Sequence, residues 1–287
     1  MKIYNRKLKK YEESSQYGGG FLEFMYHHCL GRMLLKIVIH PVVSKIGGFI
    51  QNSALSKGRI KPFIEQNHIN MSDYEDREYK SFNDFFTRKA KPGKRPVDMA
   101  KNSFVAPADS KLSIYPIKDG QMVTVKGVEY TLPEMVGRKV DLSSFEGGYC
   151  MVFRLSVDDY HRYSFVDDGR VTARYHLKGK LHTVSSISSE HKIYRENSRV
   201  VNVLRTKNFG KIIWIEVGAL LVGKIKNHPV RTFTKGMEKG YFELGGSTIL
   251  LLVEQGKIRL DEDVEQICKS GVEVKLQMGE KIGEKVH

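Results

Sequence analysis

Acidic residues are scarce in this 287-residue chain: 33 Asp and Glu stand against 47 Lys and Arg, a formal net charge of +14. That excess predicts an acidic partner, either nucleic acid or an anionic membrane surface. Nucleic acid is the weaker of the two, and none is expected as a partner. Zinc-finger spacing and an RNA-binding aromatic motif are both missing, and the basic residues are spread along the chain. Cysteine is nearly missing too. Cys29, Cys150 and Cys268 are odd in number, far apart and without a Cys-x-x-Cys pair. This argues against a disulfide framework or structural zinc and fits a reducing compartment. No apolar run approaches the roughly 20 residues that a spanning helix needs. The opening Met1-Lys2-Ile3-Tyr4-Asn5-Arg6 meets charge where a secretory signal would have an apolar core. The histidines do not fall at ligand spacing with acidic or thiol partners, so no metal site is expected.

What is present is an apolar fraction of 40%, ordinary for a folded soluble protein and enough for a sizeable core. Residues 1–20 are polar, end in Gly18-Gly19-Gly20 and read as a loose arm. From Phe21 to Ile50, apolar residues recur at mainly helical spacing, interrupted by Arg32, Lys36, His40 and Lys45. An interfacial amphipathic helix or helix pair broken near Pro41 is one reading; a helical layer packed on the protein's own core is the other. Residues 51–100 look helical and then turn-rich, closing on Lys91-Pro92-Gly93-Lys94-Arg95-Pro96. Beyond them come short β-branched and aromatic runs punctuated by glycine. Strands are expected over Lys111–Ile117, Met122–Val125, Tyr149–Leu155, Val171–His176, Lys211–Val217, Leu220–Ile225 and Thr248–Val253, then near Ile258 and Val274. The expected class is α+β, with a helical, membrane-associating region over 1–100 and a mainly antiparallel β body over 101–287.

One short stretch carries chemistry. In Gly245-Gly246-Ser247-Thr248, two glycines allow a sharp bend that exposes a carbonyl, and the serine can present its hydroxyl to it. Alone, this is most often a plain turn before a strand. Its company is more specific. Upstream lie Ser81-Phe82-Asn83-Asp84-Phe85-Phe86-Thr87-Arg88, continuing to Arg95-Pro96; then Ala106-Pro107-Ala108-Asp109, Asp159-Tyr160-His161-Arg162 and Glu216-Val217-Gly218-Ala219.

These five blocks, in this order, resemble the phosphatidylserine decarboxylase family from about residue 80 to the C-terminus. The resemblance implies a compact β barrel-sandwich with the N-terminal helices packed on it. It also implies self-cleavage: Ser247 attacks the carbonyl of Gly246, the peptide becomes an ester, and elimination leaves a group that hydrolyses to pyruvoyl. Asp109 is then the relay carboxylate, and His161 the acid/base that also reprotonates the substrate. The pyruvoyl cofactor, generated from Ser247, forms a Schiff base with the substrate amine and withdraws electrons as CO2 leaves. The product is a heterodimer of 1–246 with 247–287. It acts on a phospholipid at an anionic membrane surface, peripheral on the cytoplasmic side of the cell membrane, and makes phosphatidylethanolamine.

Four positions depart from the family's pattern. Ser164 stands where a second histidine is usual, and a hydroxyl is no base near neutral pH. Ser110 replaces a glycine, Ser185-Ser186 replace Asn-Pro, and Leu220 replaces a small or hydroxylic residue. Either His161 takes both roles, or His182 or His191 substitutes, or processing is slow or absent. The alternatives are a divergent paralogue, either an unprocessed membrane-binding pseudoenzyme or a decarboxylase of another amine, and a soluble amino-acid decarboxylase.

Overall fold

Ser-Thr-Ile-Leu-Leu-Leu-Val, the run from Ser247 to Val253, shows no polar–apolar alternation, so a strand built from it must be covered on both faces. In the computed structural model it lies fifth in a ten-stranded sheet. It is antiparallel to Lys211–Val217 on one side and Tyr149–Leu155 on the other, and all of its residues are buried. The structure describes residues 2–13, 19–38, 41–118, 120–137, 140–182, 192–219, 224–244 and 247–286, without the side chains of 19, 21–23, 29, 36–38 and 41–46. Gly246, His191 and most of the expected strand Leu220–Ile225 lie outside the described residues.

From the central strand the sheet continues through Arg199–Thr206 and Gly169–Leu177 to an edge at Thr232–Phe233. The other way it passes Ser110–Pro116, Glu273–Leu276 and Lys2–Asn5 to an edge at Lys10–Glu13. With two distinct edges, the described residues form no closed barrel. The architecture is mixed α+β, mostly strands. Smaller sheets join Ile225–Asn227 with Glu238–Phe242 and Arg162–Ser164, and Ile258–Leu260 with Lys281–Lys285 and Ser103–Val105. Phe153, Tyr163, Phe165, Trp214, Leu250 and Leu252 belong to the main core.

The loose arm expected at the N-terminus is instead a hairpin. Lys2–Asn5 pairs antiparallel with Lys10–Glu13 and parallel with Glu273–Leu276. Ile3 and Asn5 face inward while their neighbours do not, and Arg6 bonds Asp261 at 2.8 Å and Asp263 at 2.7 Å. Four residues are too few for alternation to stand out, and their partners lie at the far end of the chain.

Three helices follow, Gly19–His27, Cys29–Val38 and Pro41–Asn52. Pro41 opens the last, where its missing N–H costs no hydrogen bond. The first two cross closely at Gly31, where a Cβ would sit 1.9 Å from the carbonyl oxygen of Phe24. Met25, Tyr26 and Leu35 are buried, but Leu30, Met33, Leu34, Phe49, Ile50 and Leu55 are exposed. No helix among the described residues is long and apolar enough to cross a membrane.

A second, smaller core gathers Phe63, Tyr79, Phe82, Phe85 and Phe86, with Leu244 packed against it. Its helix, Phe82–Phe86, starts where the Ser81 hydroxyl accepts the Asp84 amide at 3.1 Å. Phenylalanines at i, i+3 and i+4 then share one face.

Candidate active site

Ser247 begins the central strand with its hydroxyl fully enclosed. Its Oγ has no hydrogen-bond partner among the described residues. A buried hydroxyl without a partner carries a desolvation penalty, and native structures rarely keep one without use.

His161 is equally enclosed. Its Nδ1 lies 2.9 Å from the main-chain carbonyl of Asp159. A carbonyl only accepts, so Nδ1 carries the proton and Nε2 presents a lone pair. Nε2 is buried and finds no partner among the described residues. Burial drives the imidazole pKa down from 6.5 to about 3, against the raising effect of the bond to the Asp159 carbonyl and with a smaller downward push from the Arg88 guanidinium. The ring is therefore neutral at pH 7, a base with an open site.

The helix Phe82–Phe86 ties the two regions together. The Phe86 and His161 rings lie 4.2 Å apart, centre to centre. Asn83 Oδ1 accepts the Leu244 amide at 3.0 Å, and Asn83 Nδ2 donates to Asn52 Oδ1 at 2.9 Å. One short helix thus packs on the histidine and holds the chain three residues before Ser247. The Phe242 amide also donates to the His161 carbonyl at 3.0 Å.

Asp109 is placed differently. Its carboxylate accepts Arg95 Nε at 2.8 and 3.0 Å and the Met278 amide at 2.9 Å. The ring of His161 hydrogen-bonds to Asp159 and not to Asp109. The connection between them is through the main chain: Pro107, two residues before Asp109, accepts the Ser164 amide at 2.9 Å. The Ser164 hydroxyl itself is buried without a partner among the described residues. His182 lies under the first helix, its Nδ1 3.3 Å from the Tyr26 hydroxyl and its Nε2 3.5 Å from a Glu196 carboxylate oxygen.

Sequence reasoning missed the groups that hold His161. Lys111 Nζ donates to both carboxylate oxygens of buried Asp159, at 2.8 and 2.6 Å, and the Ser156 amide donates to one of them at 2.7 Å. That pairing fixes the residue whose carbonyl fixes the imidazole tautomer. Lys111 stands two places after Asp109, with no spacing to announce it. Glu216, quoted only as part of a strand block, proves to be fully buried against Lys239, with Asn202 Nδ2 donating to its second oxygen at 2.8 Å. Burial lowers the Lys239 pKa to about 8 despite that carboxylate.

A family model for phosphatidylserine decarboxylase matches residues 82–284. The chain belongs to the phosphatidylserine decarboxylase family, a family of carboxy-lyases. It is 50% identical over 284 residues to phosphatidylserine decarboxylase proenzyme 2 of Clostridium acetobutylicum, covering 98% of each chain. It is 38% identical over 291 residues to the phosphatidylserine decarboxylase proenzyme of Clostridium kluyveri, covering 99% of this chain and 98% of the relative. To the proenzyme of Clostridium perfringens it is 37% identical over 293 residues, covering 99% and 100%.

Proposed function

We propose that this chain cuts itself between Gly246 and Ser247 and then decarboxylates phosphatidylserine to phosphatidylethanolamine. The observation that carries the reading is a pair of enclosed atoms without partners among the described residues, Ser247 Oγ and His161 Nε2, in a member of this family whose one short helix packs on the histidine and bonds the chain at Leu244. Nε2 takes the hydroxyl proton as Oγ bonds to the Gly246 carbonyl carbon. The proton passes to the Ser247 nitrogen as the C–N bond breaks, which leaves an ester. Loss of the Ser247 α-proton expels Gly246 as a carboxylate, and water then releases ammonia from residue 247. Asp109 keeps the relay role that the family resemblance implies, although Arg95 and the Met278 amide hold its carboxylate and the His161 ring bonds the Asp159 carbonyl instead.

The enclosed hydroxyl at the head of a strand fits a pyruvoyl precursor, and that group supplies a carbonyl that reacts with the substrate amine and an electron sink for decarboxylation. His161 Nε2 takes a proton shed by the amine and returns it to the α-carbon after CO2 departs. The segments 1–246 and 247–287 stay together as a heterodimer through the strand pairing on both sides of Ser247–Val253.

The exposed apolar residues of the three N-terminal helices, with the positive net charge, are assigned to an anionic bilayer on the cytoplasmic side, where the protein is peripheral. The working division is accordingly a membrane-associating region over 1–100 and a decarboxylase body over 101–287, with the Lys2–Glu13 hairpin lent to the body's sheet. Ser164 favours a second reading, an uncut membrane-binding chain, because its hydroxyl stands where the family usually has an imidazole.

Intact mass of the purified protein beside Ser247→Ala separates the two. Two fragments meeting at Gly246–Ser247, the smaller blocked by pyruvoyl, are expected from the wild type and a single chain from the variant. A wild type that stays whole, like its variant, would overturn self-cleavage and with it the decarboxylase reading.

A further inference from the structure

A guanidinium stripped of water needs a counter-ion or a full set of acceptors, since its charge persists at any ordinary pH. Arg88 has neither. It is 0% exposed and makes no ion pair among the described residues. Among these residues its Nε and Nη1 find no acceptor, and Nη2 reaches only the Tyr74 hydroxyl and the Asp158 carbonyl, each at 3.4 Å. The rings of Tyr74 and Phe85, centred 4.4 and 5.0 Å from the guanidinium carbon, offset part of the deficit through their π faces. They leave the N–H groups unused.

The position of this charge gives it meaning. The guanidinium rests against the carbonyl of Asp158, three residues before His161. The main-chain carbonyl of Arg88 accepts Nε of Arg162, one residue after His161, at 3.2 Å. Phe86, two residues earlier, packs on the His161 ring. Arg88 is thus bracketed by the segment that carries the base.

We propose that Arg88 is the receptor for the substrate's phosphodiester, a built cation whose counter-ion arrives with the lipid headgroup. The inference rests on the substrate class assigned above. A phosphatidylserine headgroup brings two anions, and catalysis distinguishes them. The carboxylate must shed its charge as CO2, so an arginine clamped on it would stabilise the ground state above the transition state and slow the reaction. The phosphodiester keeps its charge throughout. Its phosphorus is three bonds from the α-carbon, within about 5 Å by ordinary bond lengths, so an anchor there holds the α-carbon near His161. Charge-assisted, forked contacts suit guanidinium to phosphate oxygens.

The test titrates the purified wild type, Arg88→Met and Arg88→Lys calorimetrically with two soluble probes. Glycerophosphoethanolamine has the phosphodiester without the carboxylate; serine has the carboxylate without the phosphodiester. Arg88→Met should weaken glycerophosphoethanolamine about 10- to 100-fold, Arg88→Lys should recover part of that, and serine should bind all three alike. The Tm of Arg88→Met should hold or rise, because a buried charge without a counter-ion has been removed. Several results would overturn the proposal: no glycerophosphoethanolamine binding by the wild type, equal binding by all three, loss confined to serine, or a lowered Tm in both variants with both probes lost. Failure of the functional reading would show elsewhere, as an uncut mass or no CO2 released from phosphatidylserine. Arg88-dependent binding of the diester would survive that failure.

Discussion

The β body and the N-terminal helices treat the same kind of side chain in opposite ways. From Ser247 to Val253 every residue is buried, sandwiched by strands on both sides and covered on both faces. In and just after the helices, Leu30, Phe49 and Leu55 are 74%, 79% and 92% exposed. The body has already gained the free energy of removing its apolar surface from water. The exposed side chains of the helices have not, and that gain is available to whatever apolar phase covers them. The stability of the body and the proposed membrane attachment therefore draw on different residues.

That separation can be broken deliberately. Leu250→Ala in the central strand should lower unfolding stability by about 2–5 kcal/mol, through lost transfer energy and a cavity the packed sheet cannot close; a loss under about 1 kcal/mol in denaturant melts would contradict the packing described. At the border of the two regions, acid should act through His161. Its folded pKa of about 3 lies below the ordinary 6.5, so the unfolded chain binds more protons between those values and stability rises with pH there. Tm should therefore fall from pH 6.5 toward 3 more steeply in the wild type than in His161→Gln, and parallel profiles would contradict the neutral imidazole. The smallest effect on folding belongs to the triple variant Leu30→Ser, Met33→Ser, Phe49→Ser. Its stability should stay within about 0.5 kcal/mol per site, while binding to anionic vesicles in a flotation assay should drop at least tenfold. Undiminished flotation would detach these helices from the membrane role.

Much of the body was legible because buried strands announce themselves through continuous β-branched and apolar runs. Met122–Val125, Tyr149–Leu155 and Lys211–Val217 have the bounds expected of them, and Thr248–Val253 was one residue short. Arg199–Thr206 was missed because Asn202 and two arginines interrupt its pattern; Asn202 is buried to hydrogen-bond Glu216. The hairpin Lys2–Glu13 was missed for a different reason, a partner strand more than 260 positions away. Within the site, Ser247 and His161 stood out through the blocks around them. What no block displays is who satisfies whom. That Asp109 faces Arg95, that Lys111 steadies Asp159, and that Arg88 faces no anion among the described residues are facts of three-dimensional pairing, hidden in residue types that most often serve at a surface.

The Gly246–Ser247 bond, the proposed point of self-cleavage, precedes the first residue of the strand at the centre of the largest sheet. A cut there would leave each fragment clasped by the other, yet erase the tether that first brought them together. Before cleavage, that strand finds its place by closing a loop within one molecule; afterwards the same encounter needs two molecules to meet. A chain cleaved in this way can be unfolded once but cannot retrace its route, and its working life is then set by how slowly it opens and no longer by how readily it refolds.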